Sequence, residues 1–194
     1  DDDGTVSISA NQASVIEGHS GTTRTVSYTV VRSNSQAPSS VDWQIDGMDA
    51  ADFGGSLPAG TLQFAAGEST KIIEITLTGD RDTEADEALG IVLSNPGSNL
   101  TLGTDRATTT VINDDGSFNI SANQISVSEG DEGGTQFLTY TVTRSNAVGS
   151  DQVNWTASGL DAADFGGTLP SGTLNFAPGE TSKTIQLPLA GDRQ

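Results

Sequence analysis

The chain repeats itself at an offset of 112 residues, which sets Asp2 on Asp114. Ser9-Ala10-Asn11-Gln12 returns as Ser121-Ala122-Asn123-Gln124, and the AADFGG run at 50–55 returns at 162–167. Residues 2–82 align with 114–194 without a gap, and 45 of these 81 positions are identical. A period of that length fixes the architecture before any local propensity does: the chain is read as a tandem array of one supersecondary unit. The predicted boundaries are 1–4 as the tail of a preceding repeat, 5–115 as a complete repeat and 116–194 as an incomplete one. The counterpart of 83–112 is missing from the second copy, so two strands are expected to be absent there and to leave open edges.

Hydrophobic periodicity within the unit is two. Val26, Tyr28 and Val30 alternate with Thr25, Ser27 and Thr29; Val41, Trp43 and Ile45 alternate with Asp42 and Gln44; Ile73, Ile75 and Leu77 alternate with Glu74 and Thr76. Short alternating runs broken by Gly, Pro, Asn and Asp predict an all-β sandwich of about seven antiparallel strands. The strands are placed near 5–17 (kinked), 23–33, 39–45, 60–65, 70–78, 87–94 and 105–112. Pro188 stands where the first copy has Thr76, and a residue without an N–H places its strand at a sheet edge. Tyr28, Trp43 and Phe64, matched by Tyr140, Trp155 and Phe176, are read as core.

The charge narrows the function classes. There are 26 acidic and 8 basic residues, for a net charge of −18. That argues against electrostatic binding to nucleic acid or to an anionic membrane. With no cysteine, a disulfide framework and a zinc ribbon are both excluded. The acids cluster after alternate strands: Glu17 after the first, Asp52 after the third, Asp80, Asp82, Glu84, Asp86 and Glu87 after the fifth, Asp114 and Asp115 after the seventh. In an antiparallel sandwich of alternating strand directions these four ends share one pole. Two bare carboxylates about 5.5 Å apart repel by about 3 kcal/mol at an effective dielectric near 20. Such a pole either splays into water as a solvated charge run or takes up a cation. Ca²⁺, which accepts six to eight oxygens in flexible geometry, suits it better than octahedral Mg²⁺, and metals that seek histidine or cysteine find no ligands in these patches.

Val15-Ile16-Glu17-Gly18, Ala51-Asp52-Phe53, Gly60-Thr61-Leu62-Gln63-Phe64, Gly67-Glu68, the acidic 79–87 loop, Leu93-Ser94-Asn95-Pro96 and the closing Val111-Ile112-Asn113-Asp114-Asp115 together resemble a Calx-beta domain. The resemblance runs through all of the first copy and all that is present of the second. It implies a seven-stranded immunoglobulin-like sandwich with Ca²⁺ bound at one pole. By position it implies Glu17, Asp52, Asp80, Glu84, Glu87, Asp114 and Asp115 as ligands; Asp82 is added because it lies in the same loop. The second copy keeps Glu129, Asp164 and Asp192. Gly79 stands where calcium-binding members often have an aspartate, and Asn113 replaces another acid, so one or two ions per pole are expected.

The sequence offers no catalytic constellation. His19, the sole histidine, sits beside Ser20, but the second copy has Asp131-Glu132 there, so it is read as a solvated loop residue rather than part of a triad. The leading expectation is a structural calcium-binding repeat of a large extracellular surface, adhesin or filament protein, bacterial in source. In it, Ca²⁺ stiffens the link between units, and the partners are neighbouring repeats, other copies or surface ligands. Two alternatives are a calcium-sensing domain of a membrane transporter or receptor and a ligand-binding adhesin module. The second of these would use the variable loop at 34–40.

Overall fold

The computed structural model describes residues 3–128, 130 and 133–191. The chain divides into two compact units, Asp1–Asp115 and Gly116–Gln194. In the first unit, β1 (Gly4–Ala10), β3 (Thr23–Arg32), β6 (Thr70–Thr78) and β8 (Leu100–Leu102) form one sheet in the order β6-β3-β1-β8. The other sheet runs β2-β9-β7-β4-β5, from β2 (Ser14–Ile16), β9 (Arg106–Ile112), β7 (Glu87–Ser94), β4 (Ser39–Asp46) and β5 (Ala59–Phe64). Inward residues of one sheet, among them Val6, Val26, Tyr28 and Val30, meet Val41, Phe64, Leu89 and Ile91 of the other in a closed core. This is the all-β sandwich that the period-two pattern implies. Among the described residues no helix is long and apolar enough to cross a membrane.

Among the described residues the first unit has nine strands rather than about seven, for two reasons. The kinked first strand is cut in two at Asn11-Gln12, and its halves join different sheets. Asn11 Nδ2 donates to Ser27 Oγ (3.0 Å) while its Oδ1 accepts from Thr29 Oγ1 (2.8 Å). The Gln12 side chain accepts from Ser27 N–H on one sheet, and its backbone carbonyl accepts from Thr109 Oγ1 on the other. The second copy repeats the arrangement with Asn123 and Gln124, which explains why this run is unchanged between copies. The other addition is β8, three residues in a Gly- and Asn-rich connection, pairing parallel to β1 and burying Leu100.

The second unit contains β10 (Phe118–Ala122), β11 (Thr135–Arg144), β12 (Asp151–Thr156), β13 (Ser171–Phe176) and β14 (Ser182–Ala190), in sheets ordered β10-β11-β14 and β12-β13. β14 carries Pro188 and is an edge strand, as the missing N–H requires. The smaller core centres on Val142, Phe176, Ile185 and Leu187. Ile120 is 61% exposed, whereas its counterpart Ile8 is 3% exposed beneath the full sandwich of the first unit.

At the pole opposite the acids, each unit buries an arginine. Arg32 donates from Nε to Glu68 O (2.7 Å), from Nη1 to Ala37 O (2.6 Å) and Ser39 Oγ (2.7 Å), and from Nη2 to Ala65 O (2.7 Å). Its guanidinium lies 5.1 Å from the Phe64 ring centre. Arg144 repeats this with Glu180 O, Gly149 O, Ala177 O and the Phe176 ring. The planar five-donor fork is the one side chain that can satisfy so many carbonyls at once. Arg32→Met removes a set of hydrogen bonds from a charged donor, each worth about 1.5–3 kcal/mol. The urea midpoint of the first unit should fall by the equivalent of at least about 2 kcal/mol, and Arg32→Lys should recover only part of it.

Candidate metal centre

The acidic pole is built on a parallel strand pair. β2 runs alongside β9 in the register Ser14↔Thr110, Val15↔Val111 and Ile16↔Ile112. Glu17 N–H continues the pairing to Ile112 O (3.0 Å). The residues that follow each strand, 17–19 and 113–115, therefore emerge side by side at the same pole. Gly18 N–H donates to Asp114 Oδ1 (2.9 Å), and Asn113 Oδ1 accepts from Asp115 N–H (2.6 Å). Glu17, Asn113, Asp114 and Asp115 are all buried.

A glycine crossing brings in the next loop. The chain passes Gly79 so close to Gly18 that a Cβ at Gly79 would stand 2.0 Å from the Gly18 carbonyl oxygen. No side chain fits, which is a steric reason for glycine where the family resemblance suggests aspartate. Beyond the crossing, Asp80 Oδ1 accepts from Asp82 N–H (2.7 Å). Asn113 spans the gap: its N–H donates to Asp86 Oδ1 (3.2 Å) and its Nδ2 to Asp82 O (3.3 Å). An aspartate at 113 would lack that second donor.

Asp52 sits in the short 3₁₀ turn Ala51–Phe53, which ends on Gly54 in the left-handed region (φ 71°). Burial raises its carboxyl above the usual range, and the charges of Asp49 and Asp80 raise it further. Glu17 is pushed up to about 7, first by burial and then by Asp80, Glu84, Asp115 and Asp52. Glu84 is raised by burial, Asp80, Asp52 and Asp82, and Glu87 by burial, Asp52 and Glu84. The structure thus gathers all eight first-unit candidates, Glu17, Asp52, Asp80, Asp82, Glu84, Glu87, Asp114 and Asp115, into one cluster of like charge. In the second unit Asp164 is half-buried in the matching turn Ala162–Phe165; Glu129 and Asp192 lie outside the described residues.

Two members of the site were not singled out from the sequence. Asp49 acts on Asp52, Glu84 and Glu87; its identity with Asp161 was a visible signal. His19 is a correction: it is not a solvated loop residue. Its Nδ1 lies 2.6 Å from Asp115 Oδ1 and its Nε2 3.9 Å from Asp114 Oδ2. The patch therefore does offer an imidazole nitrogen. Nothing in the local sequence reveals this, because the contact spans 96 residues.

Within this cluster Asp52 Oδ2 and Asp115 Oδ2 are buried with no hydrogen-bond partner among the described residues. A buried carboxylate oxygen without a donor is costly. The donor set is hard, oxygen-rich and anionic, and it fits Ca²⁺. Glu17, Asp52, Asp80, Asp114 and Asp115 are the residues that would hold the ion.

The pH dependence without a cation follows from the Glu17 shift. Between 4.5 and about 7 the unfolded chain releases this proton before the folded one does, so stability falls as pH rises through that window. Asp52, Glu84 and Glu87 act in the same direction. In chelator the melting temperature should be lower at pH 8 than at pH 5, and Glu17→Gln should remove the largest single part of the difference.

A family model for the Calx-beta domain matches residues 1–116 and again 112–194. The Adhesion G-protein coupled receptor V1 of Danio rerio is 32% identical over 173 residues, a match taking in 83% of this chain. The chain spans only 3% of that receptor's length. Among solved structures, CBD12 from CALX1.2 superposes with a TM-score of 0.50 at 23% identity, over 94% of this chain and 75% of the other. The calcium binding domain CBD12 of CALX1.1 gives 0.49 at 25% identity, over 93% and 74%. The first of these likenesses speaks for the fold.

Proposed function

The chain belongs to the Calx-beta domain family, and on that premise we propose that it is a structural calcium-binding repeat of a large extracellular surface, adhesin or filament protein. Ca²⁺ held at the acidic pole of the first unit stiffens the covalent link to the second. The observation that carries this reading is the buried Asp115 carboxylate, whose Oδ2 has no donor. It lies one residue before the second unit begins. An ion satisfying that oxygen fixes the last dihedrals before the link.

The surface setting is supported by the similarity to an adhesion receptor and by the net charge of −18, which keeps an exposed array soluble. The relative is a fish protein and lends no support to a bacterial source. The identity of the two copies, 45 of 81 positions, favours a repeated structural element over a diverged sensor pair. Neighbouring repeats and other copies of the chain are the partners of this role, which is non-catalytic.

Calorimetric titration of the chain should show Ca²⁺ binding and a much weaker response to Mg²⁺; no heat with either ion would end the calcium reading. Extracellular Ca²⁺ modules bind in the 10⁻⁴ to 10⁻³ M range. A ligand at a hundred times its dissociation constant adds about 2.7 kcal/mol to the folded state. The first unit should therefore remain folded in chelator and melt at a lower temperature.

The stiffening role has its own test. Small-angle scattering should show the distribution of inter-unit distances narrowing with Ca²⁺ and broadening in chelator. Replacing Asp114 and Asp115 together with asparagine should abolish the response. A wild-type profile indifferent to Ca²⁺ would separate binding from stiffening and remove the latter.

A further inference from the structure

We propose that His19, Asp114 and Asp115 form a second kind of metal site at this pole, selective for a borderline divalent ion of the Zn²⁺ class. The site stands on its own geometry; only its competition with Ca²⁺ rests on the calcium reading above.

The three residues each offer a ligand atom, and these atoms lie within 4.8 Å of one another. They come together for the structural reason already given: the parallel β2–β9 pair delivers 17–19 and 113–115 side by side. The turn holding His19 is fixed by Thr22, whose N–H (3.0 Å) and Oγ1 (2.6 Å) both donate to the His19 carbonyl. The imidazole thus has one edge toward each carboxylate, with Nδ1 at 2.6 Å from Asp115 and Nε2 at 3.9 Å from Asp114. Ligands of one tetrahedral Zn²⁺ sit about 3.3 Å apart at metal–ligand distances near 2.0–2.2 Å; with one ring nitrogen as the ligand, the three atoms, within 4.8 Å of one another, are near that spacing.

A histidine–aspartate hydrogen bond alone would account for Asp115 Oδ1. It leaves Asp115 Oδ2, on a residue only 4% exposed, without any donor. An ion accounts for it. Calcium takes oxygen and gains nothing from the imidazole, whereas Zn²⁺-class ions favour a nitrogen ligand beside carboxylate oxygens. Three protein ligands leave one position for water or a further acid of the cluster. Because Asp114 and Asp115 serve both ions, occupancy by one excludes the other. The second copy has Asp131 at the histidine position, so its sequence lacks the nitrogen ligand on which this selectivity rests.

The chain has one histidine and no cysteine, which gives the test a clean background. In the untagged chain the ring-proton resonances of a single imidazole can be followed by NMR. Adding ZnCl₂ should shift or broaden them with saturation at one ion per chain, and excess CaCl₂ should reverse the change. Co²⁺ substitution should give visible absorption bands of a nitrogen-ligated ion. Losing even an outer partner of a ligand costs about tenfold to a hundredfold in affinity, so His19→Ala should weaken Zn²⁺ at least about tenfold by calorimetry, a larger loss than any change in its Ca²⁺ affinity. Imidazole signals indifferent to Zn²⁺ overturn the proposal, as does a His19→Ala chain that keeps wild-type Zn²⁺ affinity. Ca²⁺ heat together with an imidazole unmoved by Zn²⁺ overturns the Zn²⁺ site alone; Zn²⁺ binding without Ca²⁺ heat overturns the calcium reading alone and supports this one.

Discussion

The site depends on the parallel pairing of β2 with β9. An antiparallel partner would send the residues after Ile16 and Ile112 to opposite ends of the sheet, and the carboxylates at 17 and 114–115 would never meet. The pairing spans nearly the whole first unit, so it forms only when the sandwich closes. Its cause lies upstream, at the crossover. Asn11 and Gln12 use their side chains on one sheet and their backbone on the other, turning a single extended segment into two strands on different layers. The charged pole is therefore assembled by neutral amides some distance away from it.

The two ends of the first unit solve opposite electrostatic problems. At one end a buried cation, Arg32, is met by backbone carbonyls and the Ser39 hydroxyl. That end is satisfied by the protein itself. At the other, carboxylates crowd together with two buried oxygens unmatched, and Glu17 holds its proton up to about 7. What keeps the crowded end in place without an ion is the closed core together with the donors of Gly18 and Asn113. Net protein stability is a small difference between large terms, so a fold can carry such a strained end only while the rest of the sandwich outweighs it.

Much of this was legible in the sequence because it is carried by local pattern. Alternation at Val26, Tyr28 and Val30, the edge position of Pro188 and the clustering of acids after alternate strands each need only a few neighbouring residues. The features that escaped are non-local or made by backbone. β8 is three residues long and rests on a parallel partner almost a hundred residues away. His19 looked solvated because its partners lie at the far end of the unit. Its replacement in the second copy argued only against a chemistry shared by both. Arg32 gives no pattern at all, since carbonyl acceptors leave no trace in side-chain identity. Gly79 could be noticed as a departure, but its cause, the backbone of Gly18 two ångströms from where a Cβ would be, belongs to three dimensions.

The arginine cradle bears on the loop at 34–40, which differs at most positions from its counterpart at 146–152. Both loops keep an asparagine whose side chain accepts from the backbone two residues on. Both give backbone carbonyls to the buried guanidinium and to a glycine N–H at Gly67 or Gly179. Much of the shape is thus written in main-chain atoms, so it does not depend on which side chains most of the loop positions carry. The two copies carry different side chains at six of the seven positions on a loop whose backbone contacts are the same.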